Sequence, residues 1–170
     1  VKTAQTFKKI SSNKRHDKNY IFDFIKIAKL TRSKVIYNAN IISSTTTEAL
    51  EIIGVLLEND LEIIGIELGG EFSNRSYSHF MSIEKYITLA EKYTVEIKKK
   101  HKDIPISVVA APINRNSKRL DDWNKKLANK DFYDAIVVHP YAKIVKGKDL
   151  DGQIREAINT FNQSFEETAA

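Results

Sequence analysis

Two glutamates four positions apart, in Gly65-Ile66-Glu67-Leu68-Gly69-Gly70-Glu71-Phe72, are the most informative chemical feature of this chain. The apolar run from Ile63 to Leu68 reads as a buried strand, so Glu71 stands just past its C-terminal end. In α/β barrels that end of a parallel strand is where catalytic groups sit. A carboxyl held there can give a proton to a leaving group and take one from water, which is general acid/base work. Gly69 and Gly70 allow a sharp turn and a close approach of backbone to ligand. Side-chain alternation puts Ile64, Ile66 and Leu68 on one face, and Gly65, Glu67, Gly69 and Glu71 on the other. Glu71 then points into the mouth. Glu67, two steps deeper, reads as a structural inner group hydrogen-bonded to its neighbours or to buried water.

Other polar residues gather at predicted strand ends. His139 and Tyr141 lie in Val137-Val138-His139-Pro140-Tyr141, and each is a site candidate or a structural group satisfied locally. Asn38 and Asn40 end the run Val35-Ile36-Tyr37-Asn38-Ala39-Asn40; they line a ligand site together or cap the turn after their strand. Trp123 shares helical spacing with Leu120 and Leu127, which reads as core rather than a ligand platform. His16, His79 and His101 have no Asp or Glu at metal-ligand spacing, so no catalytic metal is predicted. Phosphate-cradling glycine motifs and the nucleophile elbow are absent, and no cofactor is predicted.

These residues need a scaffold that brings several strand ends to one rim. Residues 1–18 read as an N-terminal loop, polar, basic and without sustained periodicity. Over 19–170 helical and strand patterns alternate. Tyr20, Phe24, Ile27, Ala28 and Leu30 recur at helical spacing, followed by the strand Val35–Asn40. Ser43 to Thr46 supply N-cap candidates for a helix with Leu50, Ile53, Leu56 and Leu57 on its apolar face. After the second strand and a long loop comes a helix at about 82–101, with Ile83, Ile87, Ala90, Val95 and Ile97 facing inward. Pro105 to Ala111 is the third strand, a short helix carries Trp123, Tyr133 to Tyr141 contains the fourth strand, and a last helix runs from about Leu150 to Phe165.

Strands joined through helices form parallel units. The predicted fold class is α/β: a partial TIM (β/α)8 barrel of four parallel strands alternating with helices, about half of a catalytic domain. A small doubly wound sheet is the alternative. It calls for apolar residues on both faces of each strand, a pattern that Gly65 and Glu67 resist.

Composition bounds the partners. The 170 residues carry a net charge of +5, but the lysines are spread over helix faces and over the 8–18 stretch. Lys98, Lys99 and Lys100 end a helix, where cations complement the dipole. Without an aromatic-rich basic stripe, no nucleic-acid partner is predicted. There is no cysteine, which excludes disulfides and thiolate metal sites. No apolar run reaches the roughly 20 residues of a membrane span. The chain starts at Val1 without the apolar core of a signal peptide, and is expected to be processed or cut from something longer. A half barrel exposes two sheet edges, so self-association or pairing with the missing barrel half is expected.

Glu67-Leu68-Gly69-Gly70-Glu71 resembles the fourth-strand signature of clan A glycoside hydrolases, which reads Glu-Leu-Gly-Asn-Glu. The superfamily includes the heparanase-like, arabinofuranosidase and xylosidase families. Val35–Asn40 resembles the third-strand segment, and Val137–Tyr141 the sixth-strand end, where these families place His and Tyr around the sugar. The resemblance covers about residues 19–166, as strands three to six. It implies a secreted, periplasmic or cell-surface hydrolase of glycosidic bonds in oligo- or polysaccharides. Glu71 would be the general acid/base, with Asn38, Asn40, Gly70, His139 and Tyr141 at the sugar. Gly70 stands where the families have an Asn that bonds the sugar 2-hydroxyl, a departure that also fits a non-catalytic carbohydrate-binding or structural barrel. The nucleophile of the resembled families belongs to the seventh strand, outside this chain.

Overall fold

A computed structural model of the chain describes residues 20–112, 117–139 and 149–169, with side chains to residue 162. The loop expected over 1–18 lies outside the described residues. The elements are α1 (Ile21–Thr31), β1 (Val35–Ala39), α2 (Thr46–Glu58), β2 (Ile63–Leu68), a 3-10 turn (Arg75–Tyr77), α3 (Ile83–Lys100), β3 (Ile106–Val109), α4 (Lys118–Ala128), β4 (Ala135–Val137) and α5 (Leu150–Ala169).

The four strands lie side by side in chain order, all parallel, in one open sheet. Each connection steps to the next strand without reversing direction. Crossovers of one hand, repeated in that order, lay the connecting helices on one face of the sheet. A doubly wound sheet needs the order to reverse at a switch point, and this one does not reverse. The chain is α/β, a partial (β/α) barrel of four parallel strands alternating with helices.

Burial follows this one-sided layout. Val35 and Ala39 of β1, Ile66 and Leu68 of β2, and Ile106 and Val108 of β3 are buried in one core with helix residues. The helices contribute Ala49, Ile53 and Leu56 from α2, Tyr86, Ala90 and Ile97 from α3, and Leu120, Trp123 and Leu127 from α4. On the opposite face Ile36, Asn38 and Ala135 are exposed. Local signals start the helices. Thr45 and Glu48 form a reciprocal capping box at α2, and the Ser82 hydroxyl accepts from Lys85 N–H at α3.

Three expectations about faces change. Ile64 was expected to share the buried face with Ile66 and Leu68, yet it is 43 % exposed. The register shifts there: Val35 pairs with Ile63 and Ile36 with Gly65, leaving Ile64 as the extra residue of a bulge. Val95 is exposed and Thr94 is buried in its place. Ile83, Ile87, Ala90, Thr94 and Ile97 make the continuous 3.6-residue stripe, and Val95 falls about 100° beyond it. In α1 the buried line is Ile25 and Ala28, while Tyr20, Phe24, Ile27 and Leu30 are exposed. That helix carries an apolar arc wider than its contact, so periodicity could not say which part is covered. Among the described residues no helix is long and apolar enough to cross a membrane.

Candidate functional site

The register places four side chains in one layer across the open face. Asn38 pairs with Glu67, Glu67 with Ser107, and Ser107 with Ala135. Glu67 is the buried carboxylate of this layer, at 9 % exposure. A buried carboxylate is costly unless partnered, and Asn38 Nδ2 donates to Glu67 Oε1 at 2.8 Å. Ser107 Oγ turns to Ile66 O at 3.3 Å. Alternation along β4 then carries the inward side of Ala135 and Val137 on to His139, two residues past Val137 at the C-terminal rim.

Glu71 reaches the same rim through a tight turn. Gly69 has φ +85°, and a Cβ built there would lie 2.2 Å from Phe72 Cε2, so this position requires glycine. Glu71 is the middle residue of a three-residue turn closed by Phe72 N–H donating to Gly70 O at 2.7 Å. Its own carbonyl accepts from Asn74 N–H at 3.0 Å. Phe72 is buried edge-on to Tyr77 and Tyr86.

His139 stands between the two carboxylates. Its Nε2 lies 3.3 Å from Glu67 Oε1, and its Nδ1 lies 3.3 Å from Glu71 Oε1. A neutral imidazole has one N–H, and an ionised carboxylate only accepts. The two contacts are ion pairs when the ring carries a proton on each nitrogen. The row Asn38–Glu67–His139–Glu71 runs along the open face of the sheet to its C-terminal rim.

The sequence candidates thus divide. Asn38, Glu67, His139 and Glu71 come together. Asn40 instead binds its own turn: its Oδ1 accepts from Ile42 and Ser43 N–H, and its Nδ2 donates to Ser43 Oγ. A Cβ at Gly70 would meet nothing within 4 Å, so there is room for a side chain beside Glu71. Tyr141 lies outside the described residues. Trp123 is fully buried, stacked on Tyr86, with its indole N–H donating to Val109 O at 3.1 Å.

Two supporting residues escaped the sequence. Tyr86, on α3, donates from its hydroxyl to Leu68 O and accepts from Val109 N–H, both at 2.9 Å. It is wedged between β2 and β3 at the ends that face the site. Burial pushes its hydroxyl above the usual phenol range, the Val109 N–H acts against this, and the Glu67 charge adds to it. The phenol stays protonated and able to donate. Arg119, on α4, donates from Nε to Ser73 O and from Nη2 to Phe72 O and Met81 O. Neither role has a local signal. Tyr86 reads as one more apolar helix residue, and the acceptors of Arg119 lie 38–47 positions away.

No protein-family model matches the chain, and no curated protein matches it. Among the described residues, no group of three or more His, Cys, Asp or Glu is arranged to hold a metal ion.

Proposed function

We propose that this chain is part of a glycoside hydrolase-like barrel that cleaves glycosidic bonds in oligo- or polysaccharides, with Glu71 as the general acid/base. The observation that carries the reading is the approach of Glu71 to His139, backed by Glu67, at the C-terminal rim of a parallel sheet. The resemblance of Glu67–Glu71 to the clan A signature supports it. In the first half of the reaction the protonated Glu71 would donate to the glycosidic oxygen as the bond to the leaving sugar breaks. In the second, the Glu71 carboxylate would take a proton from the attacking water.

Glu67 and Asn38 fix the orientation of His139, whose ring in turn positions Glu71; the proton taken from the attacking water restores Glu71 for the next turnover. Glu67 is too enclosed by these partners to serve as the nucleophile. A retaining reaction needs a second carboxyl about 5–5.5 Å from the acid, and this reading assigns it to a strand outside the chain, as part of a complementary half barrel. A secreted, periplasmic or cell-surface location belongs to the same reading.

Gly70 favours a second reading, a barrel that binds carbohydrate without cleaving it, because the position lacks the Asn of the resembled families. One comparison separates the two. Hydrolysis of aryl glycosides and binding of oligosaccharides are measured for the wild type and Glu71→Gln in the barrel that includes the complementary half. The hydrolase reading expects the variant to lose about 10²–10⁴-fold in rate while binding persists. Equal rates in the two proteins would refute the role of Glu71. Binding with no hydrolysis by either would select the second reading.

A further inference from the structure

We infer that Arg119 is a positioning residue for Glu71, holding the loop that carries it from the helix side of the sheet. The inference rests on Glu71 being the acting carboxyl of the proposed reaction.

The segment that presents Glu71 is gripped on both sides. On the N-terminal side, the Tyr86 hydroxyl binds Leu68 O at 2.9 Å. On the C-terminal side, Arg119 binds the carbonyls of the two residues that follow Glu71: Phe72 at 2.8 Å and Ser73 at 2.9 Å. Its third acceptor, Met81 O at 2.8 Å, is at the far end of the same loop, so one guanidinium ties both ends together. Ser73 is buried at 2 % exposure and Met81 at 1 %, so these carbonyls belong to a part of the loop pressed onto the protein.

The grips are linked. The Arg119 guanidinium lies 5.4 Å from the Trp123 ring centroid, and Trp123 stacks on Tyr86 at 5.0 Å. An Arg119–Trp123–Tyr86 stack therefore reaches from the loop to the ends of β2 and β3, with Gly69, Gly70 and Glu71 spanning between its two points of attachment. Neither glycine can hold the turn by itself, since both are conformationally permissive. The direction of Glu71 is set by what fixes residues 68, 72 and 73.

The fork geometry of arginine matters here. A lysine ammonium at this site is a flexible point charge and cannot reproduce a planar, three-carbonyl clamp. Arg119→Lys keeps the charge and removes the geometry.

The test reads the side-chain nitrogen and proton signals of His139 by NMR at one fixed pH. Glu71→Gln gives the reference spectrum for a lost Glu71–His139 contact. Arg119→Lys and Arg119→Gln are expected to move the His139 signals most of the way to that reference, and to speed amide exchange at Phe72 and Asn74 by about 10-fold or more, a local opening rather than a global one. The Ala49 amide, in the capping turn of α2, should exchange as in the wild type. Lys126→Ala, which breaks the Lys126–Glu84 pair elsewhere on α4, is the control and should leave His139 unmoved.

Wild-type His139 signals in both Arg119 variants would overturn the inference, and so would an equal displacement in Lys126→Ala. Should Arg119→Gln fail to fold, Arg119→Lys decides alone. If it also fails, exchange at Phe72 and Asn74 relative to Ala49 in the wild type decides: faster opening of the clamped loop than of the helix cap would overturn the inference. The signals report where Glu71 lies whether or not a glycoside is cleaved, so failure here is distinct from failure of the proposed reaction. In the assembled enzyme, Arg119→Lys should lower kcat by up to about 10²-fold with KM little changed, as expected for a displaced catalytic group.

Discussion

Removing the hydroxyl of Tyr86 tests whether this side chain holds the rims of β2 and β3 together. Tyr86 is fully buried, and its hydroxyl serves two backbone groups at once, Leu68 O and Val109 N–H. Tyr86→Phe keeps the ring stacked on Trp123 and edge-on to Phe72. What it removes is one donor and one acceptor. Each orphaned buried group costs about 1–3 kcal/mol, so the pair amounts to about 2–6 kcal/mol if neither finds a new partner. Direct closure of Val109 N–H onto Leu68 O would recover part of this, which leaves an expected loss of about 2–4 kcal/mol. A whole domain has about 5–15 kcal/mol in hand, so the effect is large. Urea unfolding followed by circular dichroism should show a lower midpoint with an unchanged slope. Tyr133→Phe is the comparator. Its hydroxyl binds one carbonyl, Leu127 O, in a half-buried place, and its loss should cost about 1 kcal/mol. A Tyr86→Phe loss no larger than that of Tyr133→Phe would refute the two-group bridge.

Further outcomes follow from the turns, caps and ion pairs. Gly69→Ala forces a Cβ onto the Phe72 ring at a left-handed position; it should cost at least about 1–2 kcal/mol from backbone strain alone, read as a lowered melting temperature. Thr45→Ala breaks the capping box of α2 and should lose about 1 kcal/mol in urea unfolding. Lys98 first, and the Ile106 N–H second, hold the Asp134 carboxyl below its ordinary range. A folded value below the unfolded one stabilises fully above the unfolded value of about 3.9, and the gain is lost as pH falls through the lower folded value. The stability gap between the wild type and Asp134→Asn should therefore be present at about pH 6 and shrink below about pH 4. A gap independent of pH would contradict the ion pair.

Much of the architecture is legible in residue patterns because it depends on local spacing. The alternation of 3.6- and 2-residue periods marks α2, α3 and α4 and all four strands, and the N-cap candidates of Ser43 to Thr46 announce α2. Polar residues on one face of β2 already point to a sheet covered on one side. The sequence also places Glu71 just beyond the end of β2, since position along a strand is a local property. Local pattern fails where covering is decided at a distance. The bulge at Ile64 depends on register with β1, and the exposed arc of α1 depends on what packs beside it. The company of Glu71 is a tertiary matter too. His139 is 68 positions away, yet its ring lies between Glu67 and Glu71, because parallel crossovers return every strand end to the same rim. Asn38 and Asn40 show the same division within one strand: both are asparagines near its end, but pairing sends Asn38 to Glu67 and leaves Asn40 to close its own turn. Arg119 and Tyr86 act on backbone carbonyls, which carry no residue identity. Only the folded chain can say which carbonyls they meet.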